Sequence, residues 1–259
     1  MPSAGRELIA HCYRPAGRGP HPAVVINHGS GLEQDSHPGV ARALTDAGYL
    51  VLVPWRRGYG GSPGPSRLDD VTAPVGTPEH GAQVCARLLA ESDDVLAALR
   101  FVRRRPDVDP GRAAVMGASY GGINSLLAAA RDPGVGACVA FGAAAMSWGP
   151  VPELRDVLVQ HVVMIRCPVQ LLQAENDFDL RPSDVLAERC RARGGTCERH
   201  VLPPFGATHL EAHRIWIYAP HVWAPVVLPF LARHLNAAPR PRVDPNTSRR
   251  RGADAPDPL

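Results

Sequence analysis

The feature that most constrains this chain is a set of apolar runs that do not alternate with polar residues. "PAVVIN", "YLVLVPW", "RAAVMGAS", "GACVAFG" and "PVQLLQA" are each continuous. A strand with one face in water alternates; a continuous run is buried on both faces, as in a parallel sheet. Helical patterns separate the runs. "HPGVARALTDAG" closes on Gly48 as a C-cap. From about residue 82 to residue 104, Val95, Leu99 and Val102 share one side, with Asp93 and Asp94 expected outside, and Pro106 ends the pattern. "YGGINSLLAAARD", "PSDVLAERCRARG" and "WAPVVLPFLARHL" supply further helices. The alternation predicts an α/β fold with a mostly parallel sheet and helices on both faces. "ELIAHCYRP" is expected as an edge strand and "CERHVLP" as the last strand. One domain over 1–237 is expected. The Pro- and Arg-rich segment 238–259 has almost no apolar residues and is expected to be a disordered tail, with Arg249 to Arg251 solvated.

Composition narrows the chemistry. The chain of 259 residues has no lysine, so its 28 basic side chains are all Arg. That removes Schiff-base chemistry, the P-loop lysine and the Ser-x-x-Lys nucleophile. A net charge of +3 gives no case for nucleic-acid or membrane binding. No apolar run reaches the length of a membrane span. The six cysteines form no Cys-x-x-Cys and no zinc spacing, and read as reduced thiols. "MPSAGRELIAHCYRP" has no signal-peptide h-region, so a cytoplasmic location is expected.

The run ending in "VMGASYGGIN" enters Gly-x-Ser-x-Gly-Gly and continues as a helix. This is the context of a nucleophile on a sharp strand-to-helix turn. Gly117 and Gly121 must approach each other there, and Gly122 lets the helix lie near the sheet. Ser119 is the expected nucleophile, and the Tyr120 backbone N–H at the helix start is a natural oxyanion donor. A base and an orienting acid should follow in the order serine, acid, histidine. Asp177 in "LLQAENDFDLRP" and His209 in "PFGATHLEAH" fit, each just past a predicted strand. Ligands of open α/β sheets bind at that edge. Glu175 and Asp179 are the rival acids, and His213 the rival base. His209 and His213 are also spaced i, i+4, but no glutamate follows at the spacing a third metal ligand needs, so no metal is expected. The second oxyanion donor is expected in "NHGSG", from the Ser30 N–H, with Gly29 or Gly31 as alternatives. His28 is expected to brace that loop by hydrogen bonding.

These residues carry a resemblance. "HGSG", "RGYGGSPG", "GASYGG", "LLQAENDFD" and "GATH" resemble the α/β-hydrolase superfamily, and within it the dienelactone-hydrolase-like serine hydrolases. The resemblance implies an eight-stranded, mostly parallel sheet, hydrolysis through an acyl-enzyme, and no cofactor. Dienelactone hydrolases use cysteine as nucleophile, whereas Ser119 stands here, so a lactone substrate is not implied.

About twenty residues separate the runs at 137–145 and 168–174. That leaves room for one short helix and no large cap, which favours small to medium carboxylic esters. Thioesters and amides or peptides suit the same residues, and a noncatalytic hydrolase-fold binding protein is the rival from another class. Gly31, Tyr59 and Trp148 are candidate substrate contacts; Trp216 and Trp223 could also line a pocket.

Overall fold

A computed structural model of the chain describes residues 1–31 and 37–235. The predicted tail at 238–259 lies outside the described residues. The first strands, β1 (Pro2–Ser3) and β2 (Arg6–Glu7), pair only with each other. The main sheet contains β3 (Ala10–Tyr13), β4 (His21–Asn27), β5 (Leu50–Pro54), β6 (Val108–Ala118), β7 (Ala137–Phe141), β8 (Val169–Ala174) and β9 (Cys197–Leu202). Its order is β3-β5-β4-β6-β7-β8-β9. Only β3 runs antiparallel to its neighbour. Among the described residues the main sheet thus has seven strands rather than the implied eight, and the residues before β3 close on themselves instead of adding a strand.

The helices are α1 (Pro38–Asp46), α2 (Arg67–Asp70), α3 (Pro78–Arg103), α4 (Tyr120–Arg131), α5 (Pro152–Val162), α6 (Arg181–Ala192), α7 (His209–His213), α8 (Ile215–Tyr218) and α9 (Pro220–Leu235). They cover both sheet faces, which is why β5, β7 and β8 are buried at every position. One core packs α3, α4, α5 and α6 onto the sheet through residues such as Leu88, Leu99, Ile123, Leu127 and Leu154. The other packs α1, α8 and α9 through Leu44, Trp216, Trp223 and Phe230. Each fully buried aliphatic or aromatic side chain contributes roughly 1.5–3 kcal/mol of transfer free energy. Among the described residues, α5 is the only helix between β7 and β8, and no cap domain is built there.

Helix α3 starts where Thr77 caps it, its hydroxyl accepting from the His80 N–H at 3.2 Å, with Pro78 at the first helical position. Val95, Leu99 and Val102 are buried as expected. Asp94 is not outside. Its carboxylate is fully buried and accepts from Arg57 Nε (2.9 Å), Arg57 Nη2 (2.8 Å) and Ser3 Oγ (2.6 Å). The loop after β5 covers that face of α3 and brings its arginines down onto the helix. No described helix is long and apolar enough to cross a membrane.

Strands β4 and β6 are neighbours, while the chain between them runs outward through β5. Strand order therefore reverses between β4 and β6, where open α/β sheets form their crevice. "NHGSG" leaves the end of β4, and Ser119 leaves the end of β6.

Candidate active site

Ser119 sits between β6 and α4 with φ 55° and ψ −123°, a conformation costly for a residue with a Cβ. The glycines around it are sterically required. A Cβ on Gly117 would overlap the Gly121 carbonyl, and one on Gly121 would overlap the Asn27 carbonyl at the end of β4. The Ser119 N–H donates to the Phe141 carbonyl at 2.9 Å, which ties the turn to the end of β7. Helix α4 then begins at Tyr120, and its first N–H groups have no intrahelical acceptor.

Asp177 follows β8 and is 6% exposed. Its Oδ1 accepts from the Phe178 N–H (2.7 Å) and its Oδ2 from Gln173 Nε2 (3.2 Å). Oδ1 also faces His213 Nδ1 at 2.9 Å. Since a carboxylate only accepts, Nδ1 is the donor, and in the neutral ring the lone pair is then on Nε2. That Nε2 is buried and has no hydrogen-bond partner among the described residues. The ring lies against Gly142, the residue after Phe141: a Cβ there would come within 2.9 Å of His213 Cε1 and Nδ1. Phe141 holds Ser119, and Gly142 abuts His213, so the serine turn and the imidazole both border the C-terminal end of β7.

The structure does not bring His209 to Asp177. His209 is exposed, and its Nδ1 donates to the Asn176 carbonyl at 2.8 Å. The cause is local. The capping box of Thr208 and Glu211 starts α7 at His209 itself, with Glu211 Oε2 accepting from the Ala207 and Thr208 N–H groups at 2.8 and 2.9 Å. One helical turn then carries His213 inward, next to the buried Ala212 and Ile215. Phe178 separates the two histidines, its ring centroid 5.7 Å from each. The rival acids behave otherwise. Asp179 forms a two-pronged ion pair with Arg181 (2.7 Å) that holds its carboxyl below the usual range, and Glu175 is exposed.

The loop after β4 packs on the serine turn: a Cβ on Gly29 would lie 3.8 Å from Ser119 Cβ. Ser30 is half-buried beside it, and Gly31 is exposed at the edge of the described residues. His28 braces the loop as expected. Its Nδ1 donates to the Gly29 carbonyl at 2.9 Å, and its Nε2 accepts from the Arg56 N–H at 3.3 Å. Accepting at Nε2 needs a neutral ring. Burial first, then the Arg56 charge, pushes its pKa well below the ordinary histidine value.

A sequence profile described as the dienelactone hydrolase family matches residues 8–209. The chain belongs to the dienelactone hydrolase family. Relatives in sequence include a putative carboxymethylenebutenolidase of Methylorubrum extorquens, 27% identical over 216 residues (80% of this chain, 69% of that protein). An uncharacterized protein of Mycobacterium tuberculosis is 29% identical over 241 residues (79% of this chain, 76% of that protein). Among solved structures, Est1E of Butyrivibrio proteoclasticus, bound to ferulic acid, is similar with a TM-score of 0.67 at 17% identity, covering 91% of this chain and 98% of Est1E. A dienelactone hydrolase of Anabaena variabilis is similar with a TM-score of 0.59 at 19% identity, covering 88% and 92%. These likenesses establish the α/β-hydrolase fold.

In this member of the dienelactone hydrolase family, two candidate substrate contacts are buried instead. Tyr59 is 2% exposed, its ring 4.6 Å from that of His28 and under the Arg56 and Arg87 guanidinium groups. Burial pushes its hydroxyl pKa up to about 12. Trp148 is 5% exposed and packs in the core beside Val151 and Leu154. Trp216 and Trp223 are likewise core residues. Sequence reading missed the charge cluster beneath the loop. Arg56 Nε donates to Glu91 Oε2 and Arg87 Nε to Glu91 Oε1, each at 2.7 Å, with all three side chains fully buried. Asn124 Nδ2 also donates to Glu91 Oε2, at 3.0 Å. The only available signal was an i, i+4 Arg–Glu pair on α3, which reads equally well as a solvated surface pair.

Proposed function

We propose that this chain is a serine hydrolase that cleaves carboxylic esters of small to medium size through an acyl-enzyme. Ser119 is the nucleophile, His213 the general base and Asp177 the residue that orients it. His213 replaces His209 in this role. The observation that carries the reading is the buried Asp177–His213 contact, which leaves an imidazole nitrogen with no partner among the described residues, beside the strand end that holds the Ser119 turn. Membership of a hydrolase family supports it.

The steps follow from the groups present. His213 Nε2 takes the Ser119 proton as Oγ attacks the acyl carbon, and the Asp177 carboxylate steadies the imidazolium. The Tyr120 and Ser30 N–H groups donate to the oxyanion, each worth roughly 3 kcal/mol in the transition state. The alcohol leaves with the proton from His213. Water then loses a proton to His213 as it attacks the acyl-enzyme, and Ser119 departs with that proton as the acid is released. With no cap domain among the described residues, small and medium acyl groups suit the open site.

The test is labelling with a fluorophosphonate, mass mapping of the label, and hydrolysis of p-nitrophenyl esters of increasing acyl length. The label is expected on Ser119, with turnover highest for short to medium chains and lost in Ser119→Ala. A wild-type protein inert to the label and to every ester, or a Ser119→Ala variant as active as wild type, refutes the reading.

A further inference from the structure

We propose that Arg56 is a positioning residue that fixes the direction of the oxyanion-loop peptides, with Glu91 holding Arg56 in turn. The proposal rests on the serine-hydrolase reading above. Arg56 follows β5, and its side chain is fully buried. Its Nη1 donates to the His28 carbonyl at 2.8 Å and its Nη2 to the Gly29 carbonyl at 3.0 Å. These are successive peptides. In a planar trans peptide the carbonyl and the following N–H point in opposite directions. Holding both oxygens on one side therefore aims the N–H groups of Gly29 and Ser30 to the other. These peptides border the serine turn: a Cβ on Gly29 would lie 3.8 Å from Ser119 Cβ.

The guanidinium is oriented by one further contact, which is itself braced, and the Arg56 backbone is tied as well. Nε donates to Glu91 Oε2, and Glu91 is itself locked by Arg87 and Asn124. The Arg56 backbone N–H donates to His28 Nε2. Arg87 extends the anchor to the Arg57 carbonyl (2.6 Å), the Pro65 carbonyl and Asp70 Oδ2 (both 2.7 Å). Donors that stabilise an oxyanion act best when they need not reorganise as charge develops. A planar fork that grips two adjacent carbonyls gives that fixity. An ammonium, a point charge, can hold one carbonyl but cannot set both peptide planes. Packing alone would not call for charge here, since an apolar pair of similar volume is often as stable as a buried ion pair.

The test compares wild type with Arg56→Lys and with the neutral double variant Arg56→Gln/Glu91→Gln, by ester kinetics and by inhibition with an alkyl trifluoromethyl ketone. The ketone is attacked by the serine and places an oxyanion in the hole. A folded variant is expected to lose about 100-fold in kcat, to hold KM within about threefold, and to bind the ketone weaker by about the factor lost in kcat/KM. A folded variant with kcat within threefold of wild type overturns the proposal. So does a change confined to KM, or a ketone affinity that stays constant while kcat falls. Absence of a cooperative thermal transition in both variants also overturns it, since the pair would then be a stability element alone. An inert wild type removes the function and this role together; an active wild type with unaffected variants removes only this role.

Discussion

Asp177→Asn separates the two histidines most sharply. The substitution keeps the side chain's shape, and its remaining carbonyl oxygen can still accept from the Phe178 N–H. What it removes is a negative charge 2.9 Å from His213 Nδ1, in a contact where the two side chains are only 2% and 8% exposed. At an effective dielectric of about 20, opposite unit charges at that separation attract by about 6 kcal/mol. In the proposed mechanism the imidazolium forms as the serine proton is transferred, so the loss falls on the transition state and not on substrate binding. At 1.36 kcal/mol per decade this is roughly a 10⁴-fold fall in kcat, with KM nearly unchanged. Steady-state hydrolysis of p-nitrophenyl butyrate measures it, with circular dichroism and a thermal melt to verify the fold. His209→Ala is the control. Its ring is exposed and held by a neutral carbonyl, so activity should stay within about fivefold of wild type, whereas His213→Ala should fall at least as far as Asp177→Asn. Retention of more than about a tenth of the activity by Asp177→Asn would refute the assignment. Equal collapse of His209→Ala would return the base to that position.

Three further outcomes are expected. Gly121→Ala places a methyl group on the Asn27 carbonyl, so the variant should lose fluorophosphonate labelling and melt well below wild type; a labelled variant with an unchanged Tm contradicts the packing argument. Asp94→Ala leaves Arg57 without its two-pronged partner and should cost about 3–5 kcal/mol in urea unfolding, and a cost below about 1 kcal/mol would show that the pair is dispensable. His28 is held neutral when folded, so the unfolded chain takes up a proton that the native state refuses as pH falls below about 6.5. Its contribution is intact above that pH and is lost below it, by up to about 1.4 kcal/mol per pH unit. Urea melts of wild type and His28→Asn across this range should differ in slope by that amount, and parallel slopes would contradict the neutral assignment.

The sheet was legible because continuous apolar runs leave few alternatives, and the serine turn because Gly117 and Gly121 are sterically required there. The histidine was less legible. His209 and His213 both lie past the last strand, and spacing alone cannot say which lies inside. The capping box at Thr208 and Glu211 was readable and fixes where α7 begins. Had the helix been started at His209, the apolar residues after His213 would have indicated which ring turns inward. Asp94, Arg56, Arg87 and Glu91 were not legible at all. Charged residues on a long helix read as solvated, and only the path of the loop after β5 buries them. Tyr59 and Trp148 were drawn toward the site by their size and sequence neighbourhood, yet both serve as packing.

The cluster around Glu91 also shapes how this chain can diverge. Glu91 answers Arg56, Arg87 and Asn124 at once, so replacing Glu91 takes the shared carboxylate from two buried arginines, and replacing either arginine removes a charged donor from a fully buried carboxylate. Each single step away is then deleterious, while a concerted replacement can be neutral. Lineages should therefore either carry the set intact or lack it as a block, with positions 56, 87 and 91 inherited together like one extended residue.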